Sequence, residues 1–136
     1  MATLPEVRST YRVVEELLGA QRCVMLDGGV ATELGRTRPD ARPQTDEALW
    51  GPWALVYAPD AVRAVHRSYL DAGCDVISTN TWGVNGGLDP APRAALSTPI
   101  HWMDLARRGL RLGREAIAEA GRAGEVALAF SINGDV

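Results

Sequence analysis

At 136 residues, 46% hydrophobic and 23% charged, the chain has room for one domain and enough apolar side chains to bury a core, which excludes a disordered tail. A net charge of −3 without any Lys/Arg block excludes a nucleic-acid footprint. The sequence contains no lysine, so neither a P-loop lysine nor a Schiff-base lysine can come from it.

No apolar h-region precedes a small-residue cleavage site, and no run approaches the ~18 apolar residues of a membrane span. The expected setting is therefore cytoplasmic, with no membrane partner. Two cysteines, Cys23 and Cys74, make no disulfide framework, and both are expected to be buried free thiols.

Residues 1–20 form an N-terminal segment whose Val13, Val14, Leu17 and Leu18 share one helical face, with Ser9 or Thr10 as N-cap and Gly19 as stop. Cys23 to Leu26 is a short apolar run of the kind buried on both faces of a parallel sheet. Asp27-Gly28-Gly29 ends it. From Arg36 to Pro59 the text is irregular, with Pro39, Pro43, Pro52 and Pro59, and the pair Trp50 and Trp53 implies a loop that folds back and packs.

Pro59-Asp60 opens a helix with Val62, Val65, Tyr69 and Leu70 on one stripe and Gly73 as the stop. Cys74 to Thr79 reads as a second buried strand that ends in Asn80-Thr81-Trp82. After a Gly/Pro-rich loop from Gly83, Thr98-Pro99 fits a helix start. The helix beyond carries Ala106, Leu110, Gly113 and Ile117 on a stripe and closes at Gly121 or Gly124. Val126 to Phe130 is a third apolar strand.

Buried strands alternating with amphipathic helices define an α/β fold with a parallel sheet. Ligands in such folds bind at the C-terminal strand ends, so Asp27-Gly28-Gly29, Thr79-Asn80-Thr81 and Ser131-Ile132-Asn133 should share one rim.

Gly28-Gly29 with the next glycine only at Gly35 is not a dinucleotide fingerprint. It reads either as a strand-ending turn or as a turn whose amides approach a ligand beside the Asp27 carboxylate. Thr79, Asn80 and Thr81 likewise either satisfy strand-end backbone or line a pocket. Glu33 reads as a solvated acid at a helix start. His66 and His101 have no Cys, Ser or His at catalytic or metal-ligand spacing and read as structural.

Three stretches, "LDGGVATELG" (Leu26–Gly35), "APDAVRAVHRSYLDAGCDVISTNTW" (Ala58–Trp82) and "GEVALAFSING" (Gly124–Gly134), together resemble the homocysteine S-methyltransferase family, over about residues 24–134. The third departs from the family's Gly-Ser-x-Gly-Pro-like segment, and Trp82 stands where phenylalanine or tyrosine is commoner. The resemblance implies a (β/α)₈ TIM-type barrel, of which about three strands and their crossover helices lie here, so that this chain alone does not close the barrel. It implies zinc-dependent methyl transfer to the homocysteine thiol, giving methionine, from a methyl donor the sequence does not identify.

By that resemblance Asp27 and Gly28 contact the polar end of homocysteine, with Thr79, Asn80 and Thr81 lining the second-strand part of the pocket. No catalytic residue and no metal ligand is carried over. The family's zinc is held by three cysteines in Asn-Cys and Gly-Gly-Cys-Cys segments, which this sequence lacks. The chain is therefore expected to be one partial domain over residues 1–136, a fragment that binds no zinc and is inactive alone. The alternatives are a non-catalytic half-barrel that docks onto a complementary C-terminal half or self-associates, and a different (β/α)-barrel enzyme acting on another small metabolite.

Overall fold

The computed structural model describes residues 9–38, 51–84 and 100–132. Trp50, Pro39, Pro43, the Thr98-Pro99 helix start, Asn133 and Gly134 lie outside them. In chain order the elements are α1 (Thr10–Gly19), α2 (Val30–Thr37), α3 (Trp53–Tyr57), α4 (Pro59–Asp71), β1 (Val76–Ser78), α5 (Trp102–Glu119) and β2 (Ala127–Ala129).

β1 and β2 pair in parallel, Ile77 opposite Leu128. The expected first strand survives as a single parallel bridge, Leu26 to Val76, flanked by Asp75 N–H and Val76 N–H bonds to Met25 O. Among the described residues the sheet is thus open, in the sequential order expected of neighbouring parallel strands.

All three expected strands are shorter than the apolar runs that announced them; the first is not buried and β2 only partly so. Met25 is 52% exposed and Leu26 67% exposed. Cys23 is exposed, against expectation, whereas Cys74 is buried.

Three helices end in the same way. The amides of Gln21, Gly73 and Gly121 bond back to Leu18 O, Leu70 O and Ala118 O, and those of Arg22, Cys74 and Arg122 reach Leu17 O, Tyr69 O and Ile117 O. This is the Schellman arrangement, which needs a left-handed residue at its centre. Gly73 and Gly121 supply it with φ of 94° and 69°, whereas α1, which ends at Gly19, uses Gln21, at φ 55°. α5 starts at Trp102, with His101 as its N-cap accepting from Met103 N–H at Nδ1, 3.2 Å away.

α2 lies where Glu33 reads as an acid at a helix start, and α3 occupies text that reads as irregular loop. Gly29 caps α2 and Glu33 sits in its first turn, where a negative charge favours the helix N-terminus. Trp53 is 1% exposed, so the loop does fold back. It joins Leu34 of α2, Leu55 of α3, Val62 of α4 and Leu112 of α5 in one core cluster. A second cluster, Leu70, Cys74, Ile77, Ala116, Ile117 and Val126, seats the sheet on α4 and α5.

Arg122 donates to Leu70 O, which also accepts Gly73 N–H, and to Cys74 O beyond α4, tying the segment after α5 to the segment before β1. In contrast, no residue of α1 is buried.

Candidate functional site

Strand alternation sends Ile77 and Leu128 into the helix-side core, so Ser78 turns the opposite way. There it meets the loop that leaves Leu26. Asp27 N–H donates to Val76 O at 3.1 Å, and the Asp27 carboxylate then reaches one residue further along β1. Oδ2 accepts Ser78 N–H at 2.7 Å and Oδ1 accepts Ser78 Oγ–H at 2.9 Å. Partial burial pushes the Asp27 carboxyl up from its ordinary range, and the two Ser78 donors pull it partly back.

A cavity of about 260 Å³ opens beside this clamp. One wall is Gly28, Gly29 and the first turn of α2, Val30 to Thr32; the other is Ser78, Thr79 and Asn80, with Trp82, Gly51 and Ser131 completing it. The amides of Val30, Ala31 and Thr32 are among those that a helix cannot satisfy itself, and they border the cavity with the positive end of the helix dipole. Gly28 must be small, since a Cβ there would lie 2.7 Å from the Tyr69 hydroxyl. Gly51 is equally constrained, because its Cβ would stand 2.8 Å from Asn80 Oδ1.

The strand-end residues hold one another in register. Asn80 Nδ2 donates to Gly51 O at 2.9 Å. Thr79 Oγ1 accepts Ser131 N–H at 3.0 Å, Thr81 Oγ1 donates to Ser131 O, and the two threonine oxygens are 2.6 Å apart. Since the Thr81 proton goes to Ser131, Thr79 is the donor between the two hydroxyls. Thr81 is fully buried and not among the cavity residues.

Of the residues singled out in the sequence, Gly28, Thr79 and Asn80 share the cavity wall with Ser131, as the common-rim reading requires. Asp27 stands beside it, bound to Ser78, and Thr81 stands behind it. Gly51 and Ser78 were not singled out. Ser78 could have been found from its position two residues after Val76, whereas Gly51 meets Asn80 only through tertiary structure. Elsewhere, His66 is buried on α4 with neither ring nitrogen partnered among the described residues, and burial pushes its pKa down to about 4.

No three His, Cys, Asp or Glu side chains come together as a metal-binding group among the described residues. Cys74 Sγ is directed at Leu26 O, 3.5 Å away, and burial raises its pKa, which disfavours a thiolate. The described residues do not fit the zinc that the resemblance implies. No helix among the described residues is long and apolar enough to cross a membrane.

Parallel strands whose C-terminal ends surround a small cavity, with an acid beside it, define an α/β protein with a candidate small-ligand site at its strand rim. A sequence profile described as homocysteine S-methyltransferase matches residues 24–135. The chain belongs to the homocysteine S-methyltransferase family.

It is 32% identical over 105 residues to homocysteine S-methyltransferase 1 of Zea mays, covering 76% of this chain and 30% of that protein. A selenocysteine Se-methyltransferase of Brassica oleracea var. italica is 35% identical over 72 residues, 53% of this chain and 20% of the relative. The metallated crystal structure of the homocysteine methyltransferase MmuM from Escherichia coli superposes with a TM-score of 0.63 at 29% identity, over 89% of this chain and 41% of that one. The chain thus spans less than half the length of each of these three.

Proposed function

We propose that this chain supplies the N-terminal part of a (β/α)₈ barrel that binds homocysteine for methyl transfer to its thiol, as a single partial domain over residues 1–136. The observation that carries this reading is that Gly28 of the first family-like motif and Thr79 and Asn80 of the second line one cavity. An amino acid presents an ammonium and a carboxylate on the same carbon. The cavity edge offers a matching pair, the Asp27 carboxylate for the ammonium and the amides of Val30 to Thr32 for the carboxylate. Thr79 and Asn80 shape the wall, and Thr81 supports it from behind.

The role of this chain is to bind and orient the amino-acid end. When bound, the zinc of the family would convert the thiol to its nucleophilic thiolate. Its ligands would come from outside this sequence, which has only two cysteines, as would the groups that select the methyl donor. Exposed Met25, Leu26, Phe130 and Ile132 favour a further polypeptide surface against the strands, whether from the remainder of the same protein or from a complementary subunit. A cytoplasmic setting goes with an exposed free thiol at Cys23.

Thermal-shift screening tests the reading. L-homocysteine should stabilise the chain, and Asp27→Ala should abolish the effect. Stabilisation by an unrelated metabolite instead would favour a different barrel enzyme.

A further inference from the structure

We propose that Ser78 is a positioning residue of the amino-acid site, holding the Asp27 carboxylate in one orientation so that the site selects ligands carrying a primary ammonium group. This rests on the reading of Asp27 as the ammonium partner.

The geometry comes from two adjacent strands. Backbone pairing of Asp27 with Val76 brings the Asp27 side chain level with Ser78, which gives one donor to each carboxylate oxygen, its N–H to Oδ2 and its hydroxyl to Oδ1. One such bond would leave the carboxylate free to rotate, whereas two from a single residue fix its plane. Each oxygen keeps a second acceptor direction, which is what a ligand ammonium needs.

The electrostatic surroundings leave this task to Ser78. Burial works against the Asp27 charge, and the bonds that offset it come from Ser78 and from the Asp27 amide itself, with no cation among the causes. The titratable groups that feel the Asp27 charge are the Tyr69 phenol of α4 and the Cys74 thiol that precedes β1. Burial pushes both up, Glu33 and Asp27 add to it at Tyr69, and at Cys74 Asp27 and Asp75 add to it while Arg122 opposes, so both are neutral at pH 7.

The test uses the full chain as wild type, Ser78→Ala and Ser78→Thr. Side-chain carbon NMR follows the titration of Asp27, and calorimetry follows binding of L-homocysteine and of its desamino analogue, 4-mercaptobutanoate. In Ser78→Ala the Asp27 pKa rises and homocysteine affinity falls roughly tenfold, the scale of one hydrogen bond to a charged group. Binding of the desamino analogue does not change. Ser78→Thr, which keeps the hydroxyl, restores both quantities.

An unchanged Asp27 titration in Ser78→Ala overturns the inference, as does failure of Ser78→Thr to restore it. A merely structural serine would lower stability without moving that titration. If the wild type does not bind homocysteine, the proposed function falls, and the Asp27 titration still decides the role of Ser78.

Discussion

Acid should destabilise this protein through one side chain, His66. It lies on the buried face of α4 with Val62 and Leu70, fully excluded from solvent, and neither ring nitrogen has a hydrogen-bond partner among the described residues. Burial lowers its pKa from 6.5 to about 4. Above pH 6.5 the ring is neutral in both folded and unfolded chains, and protonation contributes nothing to stability. Between pH 6.5 and 4 the unfolded chain takes up a proton that the folded chain refuses, so stability falls as pH falls.

The gap between the two pKa values corresponds to about 3 kcal/mol, lost progressively across that window. Such a loss is a large share of the 5–15 kcal/mol typical of a domain. Asp27 acts in the opposite sense, because its carboxyl is raised in the folded state. Its contribution is fully present below the ordinary carboxyl pKa of 3.8 and is lost as pH rises through its folded value.

Urea denaturation of wild type and His66→Leu at intervals from pH 7.5 to 4.5 separates the two effects. The difference between the two proteins should narrow or reverse in favour of leucine by most of that 3 kcal/mol as the pH drops. Parallel pH profiles for the two proteins would refute the reasoning, since they would mean that the ring has a partner or ready access to water.

Two further substitutions probe the site. Gly28→Ala should lower thermal stability, with an overpacking cost of about 1–3 kcal/mol, because its new methyl meets the Tyr69 hydroxyl; adding Tyr69→Phe should recover part of the loss, and a silent Gly28→Ala would contradict the packing. Thr81→Val keeps the shape but strips the Ser131 carbonyl and the Thr79 hydroxyl of a partner, so urea titration should show a loss of about 1–3 kcal/mol; no loss would mean that the threonine chain does not tie β1 to the segment after β2.

The sequence made α4 readable in full, because its start at Pro59-Asp60, its apolar stripe and its Gly73 stop are all local signals. The strands were readable in place but not in length. Apolar runs mark where strands lie, while ladder length depends on partners far along the chain, as Leu26 shows by making one bridge only.

The start of α2 was announced by Glu33 but not its extent, since Gly35 weakens the helical pattern, and α3 was hidden by the proline-dense text around Trp53. The end of α1 at Gly19 was readable too, although Gln21, not a glycine, takes the left-handed position beyond it. At the site, the rim position of Asp27-Gly28 and Thr79-Asn80 followed from strand order alone. The clamp between Asp27 and Ser78, and the bond from Asn80 to Gly51, join residues 51 and 29 positions apart, which no local pattern reports.

The most direct test of the central claim is a titration of the isotopically labelled full chain with L-homocysteine under reducing conditions, followed by amide NMR shifts. The account predicts shifts concentrated at Gly28, Gly29, Val30, Ser78, Thr79 and Asn80, and their loss in Asp27→Asn. Shifts concentrated away from this rim, or an unaltered pattern in Asp27→Asn, would contradict it.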